Sequence, residues 1–304
     1  MNVLVTGASG FIGCHVVQVL LERRHRVAAV ALPDDPLTRL TSLKKDVDVI
    51  RMSLDDTTSV RKAVSTWKPD VCIHLAWYAE PGRYLHSLQN LTALTSSLAL
   101  FEILGETGCR RIIGAGTCLE YDTTFGYLQE DTPTRPSTLY AAAKLSLGVV
   151  GARLAEAAGV SFAWGRIFNL YGPQEDPRRL VSGAIQTLRR NQPFDATAGE
   201  QIRDYLHVSD VASAFCLLAE KSAEGVFNIA SGRPVSVRHV LETLGALLDR
   251  RHLLRFGVYA CPPGDPPFLC GRNDRLKALG WTPSFSLKEG LTDTIRRWKE
   301  IDTP

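Results

Sequence analysis

The 304 residues predict an α/β fold, a doubly wound parallel sheet followed by a smaller C-terminal lobe. Three observations carry that prediction. Short β-branched or apolar runs alternate with stretches of helical period through the first half. A glycine-rich turn joins the first such run to the first helical stretch. From Phe168 onward the texture changes to shorter segments punctuated by proline and glycine.

Taken in order, residues 3–6 read as a buried first strand, 11–23 as a helix, 26–32 as a second strand, 47–52 as a third and 71–75 as a fourth. Later strands fall near 111–114 and 162–167. Residues 138–158 read as a long crossover helix, because Ser137 or Thr138 can cap its start and Gly159 can close its end. Gly172-Pro173, Asn191-Gln192-Pro193 and the proline-rich run from Pro262 to Pro267 punctuate the second lobe, while 211–219 and 226–229 return to the helix and strand layers of the first. The expected division is therefore 1–167 plus about 205–232 for the first domain, and 168–204 plus about 233–304 for the second lobe.

Composition narrows the partners. Lys plus Arg total 35 against 32 for Asp plus Glu, and a net charge of +3 gives no field suited to nucleic acid or an anionic surface. No apolar run reaches the ~20 residues of a membrane span, and the N-terminus lacks a charged leader with a cleavage site, so the expectation is a cytoplasmic protein with no membrane partner. Seven cysteines without a C-x-x-C pair read as reduced thiols, with neither a disulfide framework nor a metal site.

Thr6-Gly7-Ala8-Ser9-Gly10-Phe11-Ile12-Gly13 stands between the first strand and its helix. Glycine at 7 permits the tight turn, at 10 lets backbone approach a pyrophosphate, and at 13 lets the helix lie close to the sheet, with its positive end toward the phosphates. Gly7, Ser9, Gly10, Phe11, Ile12 and Gly13 are the candidate contacts to a dinucleotide. Farther along, Tyr140 and Lys144 are four apart on the long helix and so share a face. A phenol beside an ammonium can pass a proton at neutral pH, which a free phenol near pKa ~10 does poorly.

Within T-G-x-x-G-F-I-G the sequence resembles the extended short-chain dehydrogenase/reductase family of nucleotide-sugar epimerases, dehydratases and ketoreductases, and the resemblance extends over nearly the whole chain. It implies a Rossmann-type first lobe, a homodimer built on helices near 88–106 and 138–158, and a catalytic triad. In that triad Thr117, in Gly116-Thr117-Cys118-Leu119-Glu120-Tyr121, orients the reacting oxygen. Tyr140 transfers the proton, and Lys144 holds the nicotinamide ribose while lowering the tyrosine pKa. Leu75 and Ala76, after His74, match the cofactor-facing end of the family's fourth strand. Asn169, in Arg166-Ile167-Phe168-Asn169-Leu170-Tyr171-Gly172-Pro173, and Arg203, in Arg203-Asp204-Tyr205-Leu206-His207, match positions that contact the diphosphate of a sugar nucleotide. Glu120 is a candidate substrate contact, although Glu120 and Tyr121 fit a solvent-facing loop equally well. His74 and His207 read as packed structural residues.

Departures from the family pattern steer the choice of reaction. Relatives that prefer NAD carry an acidic residue at the end of the second strand, where this chain has Ala31-Leu32-Pro33. Asp34 and Asp35 come late, and Arg39 and Lys44 are cations available for a 2′-phosphate, so NADP is expected ahead of NAD. Ser53 replaces a common adenine-binding aspartate, and Cys261-Pro262-Pro263-Gly264-Asp265 lacks an arginine before Gly-Asp. The family's 4,6-dehydratases place Asp and Glu directly after the catalytic Thr, where Cys118 and Leu119 stand here. The expectation is an NADPH-dependent ketoreductase of a nucleotide-linked 4-keto-6-deoxyhexose, with an epimerase using bound NAD as the alternative. A non-catalytic NADP sensor and a reductase of a non-sugar carbonyl stand behind both.

Overall fold

The structure, a computed structural model, describes residues 1–301. β1 (Asn2–Thr6), apolar and buried from Val3 onward, lies inside a seven-stranded, wholly parallel sheet. β2 (Arg26–Ala31) and β3 (Asp48–Arg51) flank it on one side, and β4 (Val71–His74) and β5 (Arg111–Thr117) on the other. β6 (Tyr127–Leu128) leaves for a second sheet, and β7 (Ser161–Ile167) pairs with β5 along its full length. The chain then builds β8 (Asn169–Tyr171), β9 (Phe194–Asp195) and β10 (Ile202–His207) before returning with β11 (Gly225–Ile229), which closes the outer edge of β7. β12 (Pro234–Ser236), β13 (Leu254–Arg255) and β14 (Phe268–Gly271) complete the strands. The second sheet runs β12-β10-β14-β6 with β8 beside β10, and β9 pairs with β13.

Helices cover both faces of the large sheet, as a parallel sheet requires. α1 (Phe11–Glu22) and α6 (Val208–Glu220) pack together over one face, where Val16, Val17, Leu20, Phe215 and Leu218 are buried with Val3 and Val5. α2 (Thr57–Trp67), α3 (Gln89–Glu106) and α4 (Leu139–Ala157) cover the other, burying Leu100, Phe101, Leu104 and Leu147 against Leu4, Ile112 and Phe162. α5 (Leu180–Arg189), α7 (Val237–Leu247) and α9 (Leu287–Ile301) pack on the second sheet around Tyr171, Val240 and Leu291, and the short α8 (Asp274–Ala278) lies by β11.

Where element ends differ from expectation, the neighbours explain it. β2 stops at Ala31 because Leu32 is exposed and Pro33 offers no donor. β5 runs on to Thr117 because β7 continues to pair with it as far as Ile167. α6 starts at Val208, earlier than expected, since the His207 ring accepts a hydrogen bond from the Ser209 N–H and caps it. Six of the seven cysteines are buried and all are free thiols; Cys261 is exposed. Among the described residues no helix is long and apolar enough to cross a membrane.

Candidate active site

The strand order reverses direction between β1 and β4, and ligands of open α/β sheets bind at such a crevice, beyond the carboxyl ends of the strands. Thr6 and His74 end those two strands side by side. The Thr6 hydroxyl lies 2.8 Å from His74 Nδ1, while the N–H groups of Leu75 and Ala76 donate to Thr6 Oγ1 at 3.2 and 3.3 Å. His74 Nε2 meets Ser97 Oγ at 2.9 Å, so His74 is the structural residue expected of it. Burial, with the Lys144 charge beside it, lowers its imidazole to about 3.

The glycine turn closes onto this crevice. Gly7 has φ +65°, and a Cβ there would come within 2.8 Å of the Ala76 nitrogen; one on Gly13 would fall 2.1 Å from the Gly7 carbonyl oxygen. Only glycine lets the turn, α1 and the segment after β4 approach this closely. Gly10 caps α1 without a side chain, so the first-turn N–H groups near Phe11 and Ile12 are left for an anion. These features fit a dinucleotide pyrophosphate. Ser9, from the same turn, donates to Asp35 at 2.6 Å.

The catalytic candidates meet at the carboxyl end of β5. Thr138 caps α4 by accepting from the Ala141 N–H at 3.2 Å, which sets Tyr140 and Lys144 in its first turns on one face. Lys144 is buried, donates to the Ala115 carbonyl of β5 at 2.9 Å, and is lowered to about 7 by burial, with Glu120 opposing. Tyr140 is half-buried; burial pushes its phenol well above its usual value, the neighbouring Tyr84 adds to that, and a hydrogen bond with the Thr117 side chain draws it back. Thr117, Tyr140 and Lys144 are thus brought together as the resemblance implied.

Glu120 corrects the expectation set for it. It is fully buried, and its carboxylate accepts from Arg166 Nε at 2.7 Å, from Trp164 Nε1 at 3.1 Å and from the Thr117 N–H at 2.8 Å. It does not lie in a solvent-facing loop. With Thr117 as N-cap it forms a capping box around the turn at 118–120, which fixes the backbone that presents the threonine hydroxyl. Tyr121 is buried too, its hydroxyl donating to Asn228 at 2.7 Å and its ring carrying the Arg166 guanidinium.

On the second sheet, Asn169 pairs with Tyr205, and Arg203 lies two residues along the same strand, so Asn169 and Arg203 share a face. Asn169 Nδ2 is buried and has no hydrogen-bond partner among the described residues. Arg203 donates to the Pro266 carbonyl at 2.7 Å and to the Asp265 carboxylate at 2.5 Å, so the segment flagged for its missing arginine supplies an anion to this one.

Sequence reading missed the aromatic wall of the site. Trp77 stands over Lys144, with Nζ 3.9 Å from the ring centroid, and its Nε1 donates to Asn90 Oδ1 at 2.9 Å. Buried Asn90 in turn donates to the Tyr84 and Ser87 carbonyls, and Tyr84 meets Tyr140 edge-on at 4.8 Å between ring centroids. The only signal in the sequence was the cluster of aromatic residues directly after His74-Leu75-Ala76.

A glycine turn that fits a dinucleotide at the switch point, beside a threonine, a tyrosine and a lysine, defines a class of Rossmann-type, nicotinamide-dependent α/β enzymes. Residues 3–230 match the NAD dependent epimerase/dehydratase family, and the chain belongs to it. Among curated proteins it is 28% identical to the UDP-glucose 4-epimerase of Azospirillum brasilense, over 98% of this chain and 92% of that one. It is 26% identical to the dTDP-4-dehydro-6-deoxyglucose reductase of Escherichia coli, over 97% and 96%. Among solved structures, the Thermus thermophilus UDP-glucose 4-epimerase in complex with NAD superposes with a TM-score of 0.86 at 26% identity, covering 98% of this chain and 99% of that one.

Proposed function

We propose that this protein reduces the ketone of a nucleotide-linked 4-keto-6-deoxyhexose, working as a homodimer. The observation that carries the reading is a single proton-transfer group, Tyr140, held with Thr117 and Lys144, while the residues after Thr117 bring no second acid. Cys118 is buried, with its thiol pushed up to about 12 chiefly by burial, and Leu119 has no proton to give. Elimination of water needs an acid and a base on neighbouring atoms; reduction needs one proton and one hydride.

The turn at Gly7–Gly13 would hold a nicotinamide dinucleotide, which would supply the hydride when bound. The chain's own groups do the rest. The Thr117 hydroxyl orients the keto oxygen, the Tyr140 phenol protonates it as negative charge develops, and the Lys144 ammonium holds the ribose and steadies the phenolate left behind. By the resemblance, Asn169 and Arg203 contact the diphosphate; the Arg203 guanidinium, which donates to Ile202, Pro266 and Asp265, must exchange some of these partners to do so.

Net reduction is favoured over epimerisation because β2 ends at Ala31, followed by Leu32-Pro33, with no acidic residue at the strand end to hold NAD permanently. The similarity to UDP-glucose 4-epimerases favours the second reading, a 4-epimerase with retained NAD. Incubation with a nucleotide-linked 4-keto-6-deoxyhexose and deuterium-labelled NADH or NADPH distinguishes them. Stoichiometric loss of reduced nicotinamide with deuterium at C4 supports reduction; interconversion of two sugar nucleotides without reductant or label supports epimerisation.

A further inference from the structure

The second lobe holds a cavity of about 210 Å³ between its sheet, the first turn of α7 and the segment that leads into α9. The floor comes from β8 and β10, where Tyr171, Tyr205 and His207 lie on one face. Ring centroids of Tyr171 and Tyr205 are 6.4 Å apart, those of Tyr171 and His207 5.6 Å, and those of His207 and Phe285 4.4 Å. Four rings therefore follow one another along the cavity. Pro283, Leu287 and Val235 add apolar walls, and Arg233 and His239 are exposed at its mouth.

This cavity is separate from the catalytic group. Neither the glycine turn nor Thr117, Tyr140 or Lys144 lines it. Arg203 shares a face of β10 with Tyr205, but its guanidinium is turned to Pro266 and Asp265, which do not line the cavity either.

The lining selects by charge and by shape. No Asp, Glu, Asn or Gln side chain is part of it, and Ser231 gives its hydroxyl to Asp204 at 2.7 Å, so a sugar body meets few side-chain acceptors there. A flat ring meets four others. At the mouth, the Arg233 guanidinium makes no hydrogen bond or ion pair among the described residues, which leaves its planar fork to a carboxylate. Asp293, behind the floor, is held by Arg296 and Arg297 at 2.7 and 3.2 Å and does not offset that charge. On the floor, buried His207 accepts from the Ser209 N–H at Nδ1, so its proton is on Nε2. That Nε2 has no hydrogen-bond partner among the described residues, with Asp293 Oδ2 3.5 Å away.

We propose that this cavity is a second, non-catalytic binding site, and that its ligand is a small aromatic carboxylate. An apolar cavity of about 150 Å³ holds benzene, so the volume here takes a single ring with a carboxylate and one further polar group. The ring lies along Tyr171, Tyr205 and Phe285, and the carboxylate meets Arg233 and His239 at the mouth.

The test is titration of the full chain with 4-hydroxybenzoate, followed by calorimetry and by NMR of the histidine rings, without dinucleotide or sugar nucleotide. Saturable binding is expected with a dissociation constant of about 1 mM or tighter, and the His239 ring signals should move along the same curve. Arg233→Glu, a change on an exposed side chain, should weaken binding by about tenfold or more, and Arg233→Gln by less. The uncharged 4-hydroxybenzyl alcohol should bind at least about tenfold more weakly than the acid. No saturable binding, or binding unchanged in Arg233→Glu, overturns the proposal. Equal binding of the alcohol reduces the cavity to an apolar pocket, and equal binding of inorganic phosphate reduces its mouth to a simple anion site; either result overturns it as well.

Discussion

The Lys144 ammonium lies between the carbonyl of Ala115, 2.9 Å away, and the face of the Trp77 indole, 3.9 Å from the ring centroid. Both contacts favour the cation, one as acceptor and the other through the ring quadrupole, and they oppose the burial that lowers this amine to about 7. Lys144→Met is expected to weaken NADH or NADPH binding and to slow turnover, each by roughly tenfold or more. Titration of bound cofactor and single-turnover rates read the two effects separately. A loss confined to melting temperature would reduce Lys144 to a packing residue.

Tyr140→Phe keeps the ring that meets Tyr84 and removes the transferable proton. Turnover should fall by ~10² or more with dinucleotide affinity nearly unchanged. Thr117→Val should also slow turnover, with a smaller effect on cofactor binding than Lys144→Met. Steady-state kinetics beside equilibrium binding checks both.

Glu120→Gln should destabilise the fold by about 3 kcal/mol or more, because it leaves the Arg166 guanidinium buried without its counter-charge. Denaturant unfolding measures this. A variant as stable as the wild type, but with a raised Michaelis constant, would return Glu120 to the substrate.

His74 should stay neutral from pH 8 to pH 5, since burial and the Lys144 charge lower it to about 3. An unfolded chain protonates this imidazole below about 6.5. The stability held by neutral His74 is therefore complete above that pH and is lost as pH falls through the window toward 3, at up to about 1.4 kcal/mol per unit. Histidine side-chain NMR across this range tests it; a His74 resonance titrating near 6.5 would contradict it.

Leu91 on α3, Leu88 just before it, and Val149 and Val150 on α4 are exposed apolar side chains, and α3 and α4 pack against each other. That is the surface a second copy would cover in the expected homodimer. Light scattering at micromolar concentration should give twice the chain mass, and Val149→Arg should give the monomer.

What was legible in the sequence was what depends on near neighbours. The glycine turn, a cap at Ser137 or Thr138 and the Tyr140–Lys144 spacing each lie within a few residues, and the pair gained its weight from standing downstream of the glycine turn and of Thr117. The family match over residues 3–230 agrees with the resemblance seen in those motifs. Glu120 was misread because its fate is decided by Arg166, 46 residues away, which is brought beside it by the pairing of β5 with β7. Trp77 carried no motif, since its value lies in the ammonium it faces.

The return of β11 to the edge of β7 sets a schedule for synthesis. The chain must be made as far as Ile229 before the seven-stranded sheet has its last strand, and β8 and β10 of the other sheet emerge first. Until then β7 presents an unpaired backbone edge of the sort that recruits other chains. Six strands of the large sheet thus precede, by the whole of β8 to α6, the one that covers its open edge.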